Sequence, residues 1–110
     1  MMITPLKNKK KIKIIFDNGK VIRKGPLLIK FHDFNDNENE YGVSVPKKHF
    51  KSAVIRNKIK RQFREIINKQ ALIRRGVSFF IIYNSPERTL FAKLKGLTES
   101  LFKKLVDTTS

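Results

Sequence analysis

The chain has 110 residues, 40% of them hydrophobic, which suits one domain with a modest core and excludes wholesale disorder. Lys and Arg number 25 against 9 Asp and Glu, a formal net charge of +16 that destabilises a compact chain unless an anionic partner neutralises it. With no cysteine and only His32 and His49, disulfides, thiolate metal sites and a multi-histidine cage are excluded, leaving nucleic acid as the leading partner and an anionic membrane surface as the runner-up.

In chain order, Thr4–Asn18 reads as a short helix, with Thr4 as cap, Pro5 at the first helical position and Gly19 closing it. Leu6, Ile12, Ile15 and Phe16 supply its apolar stripe. Lys7, Lys9, Lys10, Lys11 and Lys13 oppose the helix dipole at its start, so the first turn frays unless bound phosphate compensates. Lys20–Arg23 reads as a short strand stopped by Gly25-Pro26, and "LLIKFH" (Leu27–His32) and "YGVSV" (Tyr41–Val45) read as two more. Between them "DFNDNENE" holds Asp33, Asp36, Glu38 and Glu40 without the glycine and terminal spacing of an EF-hand, so it reads as the solvated tip of a hairpin.

A central helix should run from Ser52 to about Gln70 or a few residues beyond. "VSFFIIY" (Val77–Tyr83) is near-continuously apolar, the type of strand buried on both faces. It is also the longest apolar run, so no segment reads as a membrane span or signal peptide, and the cytoplasm is the expected location. Thr89 should cap a last helix whose Leu90, Leu94, Leu97, Leu101 and Leu105 form a core-facing stripe. The expected order is αβββαβα, an α/β sandwich with helices over one face of a four-stranded sheet and the other face open to a ligand.

The central helix carries the chemistry. On a wheel of about 100° per residue, Ile55, Ile59, Phe63, Ile66 and Ile67 fall in one stripe, while Arg56, Asn57, Lys60, Arg61 and Arg64 form a continuous face turned away from it. Lys47–Arg64 contains eight Lys or Arg and no acid. A merely solvated face mixes signs, because oppositely charged pairs four residues apart are stabilising and like pairs are not. A one-signed face is the footprint of phosphate binding. Asn57 is a poor helix former placed among cations, and its amide both donates and accepts, so it can read a base edge or a sugar hydroxyl.

"RNKIKRQFRE", preceded by "GVSVPKK", resembles the Arg-Asn-Arg signature helix of the protein subunit of bacterial ribonuclease P. The resemblance runs from Leu6 through Leu105 in element order as well as motif. It implies one RNA-binding domain over residues 1–110, with the family's ribosomal-protein-like sandwich and a left-handed βαβ crossover against the usual handedness. It implies a ribonucleoprotein endonuclease that removes the 5′ leader of precursor tRNA, in which the RNA subunit is the catalyst and the polypeptide has no catalytic residue. Partners would be the ribonuclease P RNA and precursor tRNA, with magnesium held chiefly by RNA and substrate and none bound tightly by the protein.

By position, the resemblance assigns RNA binding to Lys47, Lys48, Arg56, Asn57, Lys58, Lys60, Arg61 and Arg64. Lys58 stands where the family usually has a second Arg, which keeps the charge but loses the planar fork. The leader would lie in a cleft between the first helix and the sheet, at Ile12, Phe16 and Lys30. Ile12 and Lys30 replace common aromatics, so this cleft is less aromatic and more cationic than the family pattern. For Phe16, core packing and leader contact both fit. Two other classes share parts of the pattern. A ribosomal-type or general RNA-binding protein would bind without cleaving. A membrane-surface protein would need exposed bulky apolar residues beside its cations, whereas the helix needs those for the core.

Overall fold

In the computed structural model, which describes residues 4–70 and 73–109, the apolar stretch Val77–Tyr83 becomes the middle strand of a five-stranded sheet. The elements are β1 (Thr4–Pro5), α1 (Lys9–Asn18), β2 (Lys20–Lys24), β3 (Leu27–Asp33), β4 (Glu40–Ser44), α2 (Ala53–Ile67), β5 (Val77–Tyr83) and α3 (Phe91–Thr109). The strand order is β1-β4-β5-β3-β2. β5 is parallel to β4, with α2 as the crossover between them, and antiparallel to β3. A strand with neighbours on both sides and helices on both faces needs apolar side chains at nearly every position, which explains the sequence of β5.

Alternation along the strands sorts side chains to two faces. Ile29, Phe31, Val43, Phe79, Ile81 and Tyr83 point toward α2 and α3 and build the main core with Ile59, Phe63, Leu94, Leu101 and Leu105. Phe79 meets the Phe102 ring edge-on at 6.0 Å, and Tyr83 lies 6.3 Å from the Phe63 ring. Lys30, Gly42 and Phe80 stand in register on the opposite face, where Phe16 of α1 meets Phe80. The helices therefore do not all cover one face. α2 and α3 cover one, and α1 crosses part of the other.

Four further expectations change. Thr4–Pro5 is not a helix start but a parallel edge strand, with Thr4 N–H donating to Asn39 O and Leu6 N–H to Tyr41 O. Pro5 fits because an edge position asks nothing of its missing donor. Asn8 caps α1 instead, accepting from the N–H groups of Lys10 and Lys11. Leu27–His32 and Tyr41–Val45 do not form a hairpin, because β5 inserts between them, so the acidic stretch crosses the end of the sheet rather than turning back.

α2 ends at Ile67, short of Gln70, where the Asn68 side chain accepts from Tyr41 Oη and its N–H reaches Arg64 O; residues 71 and 72, to which the expected helix extended, lie outside the described residues. Thr89 does not cap α3. Its hydroxyl pairs with Tyr83 Oη, and Leu90 O receives the first helical N–H, from Leu94, while the Leu90 side chain is 82% exposed rather than in the stripe.

Candidate nucleic-acid interface

The apolar stripe of α2 is seated as its spacing predicts. Ile59, Phe63, Ile66 and Ile67 are buried and Ile55 packs on the rim of the core. That orientation forces the intervening residues outward: Asn57, Lys58, Arg61 and Arg64 are exposed and Lys60 is half-buried. Ser52 accepts from Ile55 N–H at the start of the helix, with no acid in the first turn. Arg56 serves partly inside the molecule, its guanidinium donating to Phe50 O and Lys51 O, both at 2.8 Å. It thereby fixes the turn that presents the exposed Lys47 and Lys48 beside the helix.

The second surface is the cleft between α1 and the open sheet face. Phe16 sits one helical turn after the half-buried Ile12, and its ring lies 4.9 Å from Phe80 with a 51° tilt. Lys30 Nζ is 5.3 Å from the centre of the Phe16 ring, a cation–π contact. Phe16 and Lys30, two of the three residues that the resemblance assigns to the leader, thus meet here beside a ring, Phe80, that the sequence reading placed in a doubly buried strand. Gly42 makes room for it. A Cβ there would lie 2.7 Å from Phe80 Cδ1 and closer still to Cε1 and Cζ, so any other residue would displace the ring.

The two surfaces meet at the β4 edge. A cavity of about 280 Å³ is lined by Leu6, Lys7, Tyr41, Gly42, Arg64 and Phe80 among others. Arg64 of the basic helix and Phe80 of the cleft therefore border one concavity. Burial raises the Tyr41 phenol above its ordinary pKa, with the nearby Arg64 charge acting in the opposite direction.

Away from these surfaces, the acidic stretch holds α1 in place. Lys11 Nζ bonds Asp36 at 2.7 Å and Glu40 at 2.8 Å, and it lies 5.1 Å from the centre of the Phe34 ring. Burial pulls the Lys11 pKa down, but its two carboxylate partners outweigh that and hold it above the ordinary lysine value. Of the cations at the start of α1, Lys11 is thus compensated within the chain. Asp33 accepts from Asn35 N–H and lies 3.7 Å from Arg74, and among the described residues no cluster of three or more metal-ligating side chains occurs.

The family model described as Ribonuclease P matches residues 4–106. The chain belongs to the ribonuclease P protein family. It is 33% identical over 104 residues to the ribonuclease P protein component of Mycoplasma mycoides subsp. mycoides SC, covering 89% of this chain and 94% of the relative. Its fold is similar to that of the Staphylococcus aureus RNase P protein, with a TM-score of 0.80 at 21% identity over 96% of this chain and 99% of that one. The Thermotoga maritima RNase P protein is also similar, with a TM-score of 0.77 at 24% identity over 91% and 96% of the two chains.

The five-stranded mixed sheet with three helices is thus the architecture of ribonuclease P proteins. In this member of the family, sequence reasoning proposed the basic helix and, through the family resemblance, Ile12, Phe16 and Lys30. It missed Phe80, Gly42 and the cavity joining cleft to helix. The signal for Phe80 was present in the two-residue period of "VSFFIIY", which sends adjacent phenylalanines to opposite faces. His32 stands edge-on to Phe34 at 4.6 Å, and His49 Nε2 is buried with no hydrogen-bond partner among the described residues. His32, two residues after Lys30 in β3, shares the open sheet face with it.

Proposed function

We propose that this ribonuclease P protein binds the catalytic RNA through the cationic face of α2 together with Lys47 and Lys48, and holds the 5′ leader of precursor tRNA in the cleft at Ile12, Phe16, Lys30 and Phe80. The observation that carries the reading is the cavity shared by Arg64 and Phe80, which makes basic helix and aromatic cleft one continuous surface. A polyanion seated on α2 has a path over the β4 edge onto the open sheet face. Lys30 beside Phe16 offers a phosphate contact next to a stacking ring, a combination suited to a single strand.

The chemistry belongs to the RNA subunit. Asp36 and Glu40 are engaged with Lys11, and Asp33 with Asn35 N–H and Arg74, so the polypeptide presents no metal-binding carboxylate cluster among its described residues. Magnesium at the scissile bond is held by RNA and substrate phosphate. No helix of the described chain is long and apolar enough to cross a membrane, and the cytoplasm, where precursor tRNA is made, is the proposed place of action.

The test is reconstitution with a cognate ribonuclease P RNA at low magnesium. The protein should stimulate leader removal, and Arg61→Ala or Arg64→Ala should lower the slope of log affinity against log salt by roughly 0.7 to 0.9 per lost phosphate contact. RNA binding without stimulated cleavage would point to a general RNA-binding protein. An unchanged slope would return α2 to an ordinary solvated face.

A further inference from the structure

At the end of the sheet away from the acidic loop, five segments converge. Lys24 pairs with Leu27 across the β2–β3 turn, Leu27 pairs with Tyr83 at the end of β5, and Ser44 of β4 lies beside Ile82. Tyr83 Oη donates to Glu87 O, and the Tyr83 ring is edged by Phe50 at 5.4 Å, which brings in the loop before α2. The Gly25-Pro26 turn, the segment before α3 and the first turns of α2 and α3 therefore share one end of the molecule. Gly25, at φ +57°, makes that turn and packs against Leu97 of α3.

This end carries more cations than acids. Lys24, Lys51, Arg88 and Lys93 are exposed there, and among the described residues none has a carboxylate within ion-pair distance. Glu87 is the acid nearest to them in the chain, and its backbone, not its carboxylate, is tied down. A concavity of about 360 Å³, lined by Gly25, Pro26, Ser85, Glu87, Thr89 and Lys93 among others, opens between them, with Glu87 as its one acid and Lys93 as its one cation. Three apolar side chains border the same end without entering the core: Leu90 at 82% exposure, Val54 at 78% and Phe91 at 37%. Stability alone accounts for neither feature. Unpaired like charges repel, and apolar groups left exposed forgo the stabilisation that burial would give.

We propose that this end is a second docking patch for the catalytic RNA, centred on Lys24, Arg88, Leu90, Phe91 and Lys93, and that it grips phosphates of a non-helical segment while Phe91 and Leu90 pack on its bases. The proposal rests on the family reading for the identity of the RNA. Position selects the ribozyme over the substrate leader. Lys24 alternates with Ile22, a core residue, so it stands on the helix side of the sheet with α2 and α3, not on the open face with Phe16 and Phe80. Lys51, exposed next to Phe50, adds a cation from the loop before α2. Cations interleaved with a stackable ring are the pattern of single-strand binding.

The experiment measures binding of the full-length protein to ribonuclease P RNA alone, then of precursor and mature tRNA to the assembled holoenzyme. The triple variant Lys24→Ala, Arg88→Ala, Lys93→Ala should lose at least tenfold in RNA affinity and about two units of salt slope, with an unchanged melting temperature because all three side chains are exposed. Phe91→Ser with Leu90→Ser should weaken binding severalfold without altering the slope. Discrimination between precursor and mature tRNA should stay as in the parent. Loss of that discrimination with ribozyme binding intact would overturn the proposal in favour of a substrate contact. So would unchanged RNA affinity in the triple variant accompanied by lost binding to phosphatidylglycerol vesicles, which marks a membrane patch. If Arg61→Ala weakens RNA binding and the triple variant does not, this proposal alone fails; if neither does, the RNA-binding role of α2 fails first.

Discussion

Replacing Phe16 by alanine separates its two roles. The ring is 38% exposed, sits on the open face, and touches Phe80 and Lys30 rather than the main core. Its removal forfeits an aromatic pair of about 0.5–1.5 kcal/mol and a cation–π contact of about 0.5–1 kcal/mol. That is well below the roughly 3–5 kcal/mol for truncating a fully buried phenylalanine, so the fold should survive. On the ligand side, one stacked base contributes about 1–3 kcal/mol, but Phe80 and Lys30 already occupy part of the ring's surroundings and remain in the variant. The lower end applies, about fivefold. Precursor tRNA should therefore bind the Phe16→Ala holoenzyme about fivefold more weakly, and mature tRNA, which has no leader, as well as before. Fluorescence titration of both tRNAs, after circular dichroism confirms the fold, reads the difference. Equal losses for the two tRNAs, or a stability loss as large as that of a core phenylalanine, would refute the assignment of Phe16 to the leader.

Ile59→Ala, at a position 2% exposed in the core, should cost about 2–5 kcal/mol in urea unfolding while leaving the cationic face chemically unaltered. Gly42→Ala should push Phe80 out of the cleft at a cost of about 1–3 kcal/mol; precursor preference should fall as it does in Phe80→Ala, and the double variant should show no additive loss. The Lys11 clamp should respond to acid. Hydrogen bonding from Lys11, then from the Glu38 N–H, holds the Asp36 carboxyl below its ordinary range, so its contribution is complete above about pH 5 and is lost as pH falls through the depressed value below about 4. NMR carbon shifts of α1 should therefore hold steady from neutral pH down to about 5 and then move toward coil values. In Asp36→Asn that acid transition should be much reduced, and an unaltered transition would show that the clamp does not control α1.

Local patterns were enough for much of this protein. The apolar step of three and four along α2 determines which side faces the core, and by exclusion where Asn57, Arg61 and Arg64 point, because helix geometry is set within a few residues. The unbroken apolar run of β5 likewise announces a central strand. What depends on distant partners was not readable. Thr4-Pro5 satisfies every local rule for a helix start, yet the free edge of β4 offers backbone hydrogen bonds that a capped first turn does not. Thr89 is a good cap in isolation, but Tyr83 Oη takes its hydroxyl. The acidic stretch looked like a hairpin tip because nothing in its own residues records that β5, which follows only after the whole of α2, inserts between β3 and β4. The cleft shares that origin. Phe16 and Phe80 lie in segments far apart in sequence, and only the pairing of β5 with β3 and β4, together with the bare backbone of Gly42, brings the second ring beside the first.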